Sequence, residues 1–476
     1  MPIEPDVGFA YINDEGKLVI HSKSIGLHLH MFMIAPGLGV VPENMIMVQN
    51  PASGIFGYKF SPTMEALIGA AALATGRPVY LGYDYFQQQT YTGTRSPFFM
   101  NVRLAADKNG KILGLESDWS VDHGPYSEFG DLLTLRGAQF IGAGYDIANI
   151  RGIGRTVCTN HAWGSAFRGY GSPQSEFASE VLIDQLAEKA GIDPLEFRYL
   201  NVYREGATTP TGQRPEAWSL PELLDTLRPR YNQAVEAAAL KSTADVKRGV
   251  GISLGVYGSG LDGPDSAEAD AELNSDNTVT VYTTWHEHGQ GADMGTLGVA
   301  HEALRPLGLA PEQILIVLND TSRCPNGGPA GGSRSQVVIG RAIKAACELL
   351  LEGMANNGGY HTFDEMVKNN IPTKYSGKWT APADECDENG QGNPFACYMY
   401  GVFMAEVAVE TATGKATVEK MTLVADVGRI GKIPPSDGTC RSGETWWERP
   451  WTRKNFVPPL WAGGKERGEL HNSRRK

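Results

Sequence analysis

At 476 residues the chain has material for about three ordinary domains, or two large ones, with ample buried core. Its 41% apolar and 20% charged residues are globular values that exclude a disordered or fibrous chain. With 42 basic against 54 acidic side chains, the net charge of −12 excludes a nucleic acid or an anionic membrane as a partner held by overall charge.

Several features point to a reduced, cytoplasmic protein. No apolar run reaches the ~18 residues of a membrane span, and the acidic start from Met1 to Asp6 lacks the basic region of a signal peptide. The six cysteines (Cys158, Cys324, Cys347, Cys386, Cys397 and Cys440) lie far apart, with no Cys/His cluster at metal spacing.

In chain order, a hairpin is predicted over Gly8 to Ser22 around Asp14-Glu15-Gly16. His28 and His30 alternate with leucines and read as hydrogen-bonded residues on a half-buried strand. Residues 61 to 75 read as a helix opened by Ser61-Pro62 and closed at Gly76. A second hairpin spans Val102 to Leu115 around Asn109-Gly110. The helix over 172 to 190 opens with Ser172-Pro173, turns Ala178, Val181, Leu182 and Leu186 inward, and stops at Gly191. The proline-bearing stretch Gly206 to Pro215 is the candidate boundary between two halves, 1–215 and 216–428.

Beyond it come a strand from Thr278 to Trp285 and a helix over 334 to 352 burying Ile339, Ile343, Ala346 and Leu350. A charged surface excursion follows at Ala383 to Asn393, then a hairpin over Val407 to Val424 around Thr413-Gly414-Lys415. Strands and helices intersperse without strict alternation, so the fold class is α+β rather than a doubly wound parallel sheet. The last stretch, 429–476, carries 11 basic and 5 acidic residues and four of the nine tryptophans, without periodicity. It reads either as a disordered basic tail or as a wrong reading frame.

The 57 glycines exceed the average of ~7%. Three glycine-rich loops, Ser53 to Phe60, Gly164 to Gly171 and Gly327 to Ser333, each run toward a helix start. Glycine lets backbone approach a ligand, and free N–H groups at a helix start favour anionic oxygens. Any one such loop could be a plain capping turn, but three, with Arg168 and Ser333-Arg334, favour a large phosphate-bearing ligand. None is a P-loop or a dinucleotide fingerprint. His286 and His288 share one side of a strand end but lack a third metal ligand nearby. Gln290, set between Gly289 and Gly291, has an amide that could both donate to and accept from a ligand. Phe60, Phe129 and Leu132 read first as core residues, whereas Tyr170, inside a glycine loop beside an arginine, does not. No Ser/His/Asp arrangement and no Gly-x-Ser-x-Gly elbow occurs.

Together Gly54-Ile55-Phe56-Gly57, Thr75-Gly76-Arg77-Pro78-Val79, Ala166-Phe167-Arg168-Gly169-Tyr170-Gly171-Ser172-Pro173-Gln174, His288-Gly289-Gln290-Gly291 and Gly331-Gly332-Ser333-Arg334 resemble the molybdenum hydroxylases of the xanthine oxidase and aldehyde oxidase family. The likeness runs over about residues 1 to 428, within the family's molybdenum-binding portion, and is nearest to the bacterial aldehyde-oxidising members. It implies two molybdopterin-binding α+β halves and, as cofactor, molybdopterin cytosine dinucleotide with molybdenum.

By the same resemblance, Phe56 and Gly57 lie against the metal's oxo ligands and Arg168 beside the metal centre. Gly289, Gln290 and Gly291 grip the pterin, while Ser333, Arg334 and Gln336 hold the dinucleotide phosphates. Phe60, Phe129, Leu132, Tyr170 and Leu261 line a channel for a small aldehyde, oxidised to the carboxylic acid with oxygen from water. Iron–sulfur clusters on missing or separate domains take the electrons, and the intact enzyme is a homodimer. The family's base glutamate, in a Gly-Val-Gly-Glu motif, has no counterpart in the sequence, so this chain alone is expected to be inactive. The other readings are a molybdopterin-binding subunit of a multi-subunit hydroxylase and a non-enzymatic module that binds the dinucleotide.

Overall fold

The computed structural model describes residues 3–126 and 128–426; the basic segment 429–476, Cys440 included, lies outside the described residues. The first hairpin, β1 (Val7–Ile12) and β2 (Leu18–Ser22), is closed by Asn13 N donating to Lys17 O at 3.0 Å. There follow α1 (Leu27–Leu38), β3 (Met45–Gln49), α2 (Thr63–Thr75), β4 (Val79–Gly82) and α3 (Tyr85–Tyr91). The sheet runs β3-β2-β1-β4, with β2 and β3 parallel and the other pairs antiparallel. Leu27, Met31 and Ile34 of α1 and Ile68 and Ala72 of α2 pack on Ala10, Leu18, Ile20 and Met47.

His28 and His30 lie on this first helix and not on a strand. The Leu-His-Leu-His alternation is only four residues long. Over twelve residues the buried positions are Leu27, His30, Met31, Ile34 and Ala35, at helical spacing, and Gly39 closes the helix at φ 67°. The second helix starts two residues later than expected. Ser61 does not cap it, because its hydroxyl donates to Glu128 Oε2 at 2.6 Å.

A second sheet, β5-β6-β7, is built from β5 (Phe98–Ala106), β6 (Ile112–Gly124) and β7 (Ile150–Cys158). Between its last two, parallel strands runs α4 (Gly130–Phe140), and α5 (Ser172–Ala190) and α6 (Pro194–Asn201) follow. The buried face of α5 is Ser175, Ser179, Ile183 and Ala187, whereas Val181 is exposed. The face is rotated from the expected one because small hydroxyls allow close approach to α4: Ser175 Oγ donates to Gly137 O at 2.6 Å and Ser179 Oγ accepts from Gly142 N at 2.9 Å.

The remaining elements are α7 (Leu220–Lys241), β8 (Val246–Ser259), β9 (Ser266–Leu273), β10 (Val279–Thr283), α8 (Ala292–Ala303), β11 (Ile314–Leu318) and α9 (Gly340–Met354). After them come the short pair β12 (Ala355–Asn356) and β13 (Gly359–Tyr360), then α10 (Phe363–Lys368), β14 (Lys374–Thr380), β15 (Cys397–Glu410) and β16 (Ala416–Asp426). They form the sheets β11-β10-β9-β14 and β16-β15-β8. Ile339, Ile343, Ala346 and Leu350 are buried as expected, although a π-helical turn, Ser335–Ile339, precedes α9. Mixed sheets with helices packed against them make the fold α+β.

The largest core crosses the stretch 206–215. Phe140, Phe197 and Tyr203 from before it pack with Leu224, Ile252 and Val402 from beyond it. Gln213, inside the stretch, donates through Nε2 to Phe395 O at 2.8 Å. The five described cysteines are free thiols, and no helix among the described residues is long and apolar enough to cross a membrane.

A buried charge network locks α5 to α6. Arg198, with no exposed surface, donates through Nε and Nη2 to Glu180 Oε2 at 3.0 and 2.7 Å and through Nη1 to Asp184 at 2.7 Å. Tyr145 also bonds Glu180. Removing one partner strands the other charge away from water. Arg198→Met is therefore expected to cost about 3–5 kcal/mol in urea unfolding, whereas Arg305→Ala, breaking the exposed pair with Glu302, should cost under ~1 kcal/mol. Equal losses for the two would show that burial does not set the strength of the Arg198 network.

Candidate functional site

The loop after β3 turns sharply because Gly54, Phe56 and Gly57 all hold positive φ, at 73°, 49° and 92°. For Phe56 this conformation costs on the order of 1 kcal/mol, so the surroundings must fix it. They do so through the second glycine loop: Arg168 N donates to Phe56 O at 2.7 Å. A Cβ on Gly57 would press at 3.4 Å on Ala166 O, Phe167 C and Arg168 N, so the two loops touch backbone to backbone.

The loop after β10 joins them, since Gly54 N donates to His288 O at 2.9 Å. The fourth loop closes the group. Ala330 N donates to Ile25 O at 2.7 Å, and Ile25, Ala52, Ile55 and Ala330 form one small apolar cluster with Phe60 against it. Segments from opposite ends of the chain thus meet at one place.

The channel residues gather beside them. The rings of Phe60 and Phe129 meet edge to face with centroids 5.0 Å apart, and Tyr170 OH donates to Phe129 O at 2.6 Å. A Cβ on Gly331 would lie 3.4 Å from Phe60 and 3.8 Å from Leu261. Phe60, Phe129, Tyr170 and Leu261 therefore form one apolar wall. Leu132, 49% exposed on the first turn of α4, is tied to it only through its place in the chain after Phe129. A groove of about 690 Å³ is lined by Leu67, Tyr83, Tyr91, Trp163 and Glu128 among others, Glu128 being the chain neighbour of Phe129.

Two expected ligand contacts are taken up inside the protein. Arg334 is fully buried, and its guanidinium pairs with Asp265 at 2.7 Å and donates to Gly327 O, Pro329 O and Ser266 O. It shapes its own loop rather than reaching for a phosphate; Ser333, at φ 58°, and Gln336 are exposed beside it. The amide of Gln290 folds back, accepting from His288 N at 2.7 Å and donating to His286 O at 2.9 Å. By contrast, the exposed guanidinium of Arg168 has no partner among the described residues.

Glu287 is a residue that sequence reasoning missed. Its carboxylate accepts from Gly289 N, Gly291 N and Asp293 N at 2.6, 3.1 and 3.3 Å, filling the start of α8. Burial works against its charge, but donation from Gly291, Asp293, Gly289 and Ala292 outweighs burial and holds its pKa below the usual carboxylate range. An acidic residue just before a helix start was the available signal.

The loops leave room for a guest. A Cβ on Gly291 would meet nothing within 4 Å, and one on Gly289 only Gly54 N, at 4.0 Å. His286 Nε2 accepts from Leu27 N at 3.3 Å, so its proton sits on Nδ1, which is buried with no partner among the described residues, as is His288 Nε2. The open glycine faces, rather than these enclosed nitrogens, suit close approach by a large ligand such as a pterin.

Comparison with known proteins agrees with this geometry. Residues 1–202 and 226–432 each match a molybdopterin cofactor-binding domain. The chain is 63% identical over 446 residues to the aldehyde oxidoreductase of Megalodesulfovibrio gigas, covering 93% of this chain and 49% of that protein. The crystal structure of the aldehyde oxidoreductase from Desulfovibrio desulfuricans matches with a TM-score of 0.89 at 66% identity, over 90% of this chain and 48% of that one. Xanthine dehydrogenase/oxidase of Gallus gallus is 28% identical over 87% of this chain and 32% of its own length. The chain spans about half the length of the aldehyde oxidoreductases it matches.

The histidines about the loops give a pH dependence. Burial pushes His28 and His288 down to about 4 and His30 to about 3, and holds His286 well below its usual value. Between pH 6.5 and 4 the unfolded chain binds these protons and the folded one does not, so their stability is complete above 6.5 and lost on acidification. Unfolding free energy should fall from pH 7 to 5, and His28→Gln should reduce the slope by up to ~1.4 kcal/mol per pH unit. An unchanged slope in that variant would contradict the neutral assignment.

Proposed function

Because the chain belongs to the xanthine oxidase family, with two molybdopterin cofactor-binding domains, we propose that it forms the cofactor-holding core of an aldehyde oxidoreductase. The carrying observation is the convergence of the loops, fastened by Arg168 N to Phe56 O at 2.7 Å and Gly54 N to His288 O at 2.9 Å. The cofactor in this reading is molybdopterin cytosine dinucleotide, and the substrate a small aldehyde. When bound, that group supplies two-electron oxidation of the aldehyde carbon with oxygen drawn from water.

The chain's residues then have distinct tasks. Phe56 and Gly57 present backbone at the metal end, where Gly57, lacking a Cβ, leaves its own main chain bare. Arg168 supplies a permanent cation there, which favours an oxygen on which negative charge builds. Gly289, Gln290 and Gly291 border the pterin, where the two glycines leave the surface free of side chains. Ser333 and Gln336, with the backbone N–H groups of their turn, take the phosphates.

Phe60, Phe129, Tyr170 and Leu261 exclude water and admit an uncharged carbonyl compound while resisting a charged one, because an ion would be desolvated against apolar walls. Electrons leave to iron–sulfur clusters outside the described residues, in a homodimeric enzyme. Cytosine in the dinucleotide, the clusters and the dimer are carried over from the family resemblance.

The molybdenum-loaded protein, expressed with whatever flanking domains its gene encodes, should release one CMP per molybdenum on acid hydrolysis and reduce a dye with aldehydes. Molybdenum without CMP would refute the dinucleotide, and loaded protein inert toward aldehydes would refute the activity. Arg168→Gln should retain molybdenum yet lower kcat/KM on the order of 10²-fold; an unchanged kcat/KM would remove Arg168 from the reacting centre.

A further inference from the structure

The loop between β8 and β9, which carries Leu261, is fastened on two opposite sides. On one side Arg136, from the middle of α4, reaches it with a guanidinium only 3% exposed. Nη2 lies 2.9 Å from Asp262 Oδ1 and donates to Gly260 O at 3.1 Å, and Nη1 donates to Tyr257 OH at 3.4 Å. The guanidinium also stacks over Phe395, 4.7 Å from the ring centroid. On the other side Gly260 N donates to Gly332 O at 2.9 Å and Ser259 Oγ donates to Ser333 O at 2.9 Å. A Cβ on Gly332 would sit 2.3 Å from Gly260 O, so nothing separates the two backbones.

The loop's shape requires these fastenings. Gly260, Asp262 and Gly263 hold positive φ at 132°, 48° and 101°. Aspartate tolerates this region better than most residues but at some cost, which the ion pair offsets. Because the pair is desolvated, at 3% and 15% side-chain exposure, it is weakly screened and holds one geometry. Leu261 stands between Gly260 and Asp262, so the backbone that carries it cannot shift unless the Arg136 contacts or the Gly332 contacts yield.

We propose that Arg136 and Asp262 are positioning residues that set Leu261, and that through them the loop couples the width of the aldehyde channel to the loop of Ser333. The inference rests on the function proposed above for its substrate and cofactor, but the mechanical link rests on the contacts alone. α4 carries Phe129 at its N-cap and Arg136 two turns on, so the same helix presents one residue of the channel wall and clamps the loop that carries another. The turn at 331–334, which receives the phosphates in that reading, is bonded to the moving part of the wall. Seating of the cofactor's far end and the size of aldehyde admitted are then set by one loop.

Two variants test this. Asp262→Asn keeps a side chain suited to positive φ and removes only the charge; Arg136→Lys keeps the charge and removes the fork to Gly260 O. In the cofactor-free protein, amide hydrogen exchange should quicken roughly tenfold across 259–263 and also across 331–334 in both variants. Quickening confined to 259–263, or at neither segment, overturns the coupling. In the molybdenum-loaded protein, kcat/KM for benzaldehyde relative to acetaldehyde should rise roughly threefold to tenfold, through KM for benzaldehyde, with kcat for acetaldehyde retained. A ratio equal to wild type overturns the positioning role. Should loaded wild-type protein oxidise neither aldehyde, it is the function reading that fails, and exchange still decides the coupling. If one variant does not accumulate as folded protein, the other decides.

Discussion

The site depends on main-chain hydrogen bonds between loops that are far apart in sequence. Phe56 O to Arg168 N, Gly54 N to His288 O and Gly260 N to Gly332 O join segments separated by 72 to 234 positions, each at 2.7 to 2.9 Å. Such bonds need backbones to come within touching distance, and a side chain at Gly332, whose Cβ would lie 2.3 Å from Gly260 O, would obstruct it. Glycine removes the obstruction, and positive φ turns the peptide groups outward to be shared. The cost is the conformational freedom of many glycines, which the four packed sheets and their helices must hold fixed.

Charge near the loops follows a consistent division. Arg334 and Glu287 carry the charges most easily taken for ligand contacts, yet both are satisfied within the protein and act on the shape of their own loops. Arg136 does the same for the loop of Leu261. Arg168, whose backbone N–H bonds Phe56 O and whose guanidinium has no partner among the described residues, is free to meet a guest in the function proposed above. A buried ion pair is a poor source of net stability but a good way to hold one geometry, and the loops use it in that way.

The histidines add a second kind of constraint. His30 holds the carbonyl of Phe60 at 2.5 Å through Nε2 and accepts from Ser24 at Nδ1, so a channel residue is fixed from behind by a neutral ring. His286 receives Leu27 N and leaves its own proton without a partner. Burial keeps these rings neutral, which avoids cationic repulsion among four neighbours and preserves their capacity to accept.

Much of the organisation was legible in the amino-acid sequence by itself. The hairpins at 8–22, 102–115 and 407–424, the closing glycines at 76 and 191, the face of α9 and the α+β class follow from periodicity and turn residues, which are local. The glycine loops announced themselves for the same reason, whereas Tyr170, read as a residue outside the core, packs partly buried against Trp119, Val121 and Leu133. Tertiary structure decided the rest. It made a helix of the segment with His28 and His30, because packing against the sheet outweighs a four-residue alternation. It rotated the buried face of α5, because serine hydroxyls found partners on α4. It folded Gln290 back onto its own loop, through His286 O and His288 N, and turned Arg334 inward onto Asp265, which folding brings near. Which polar groups remain open to a ligand depends on which others have been satisfied, and that is a property of the assembled loops.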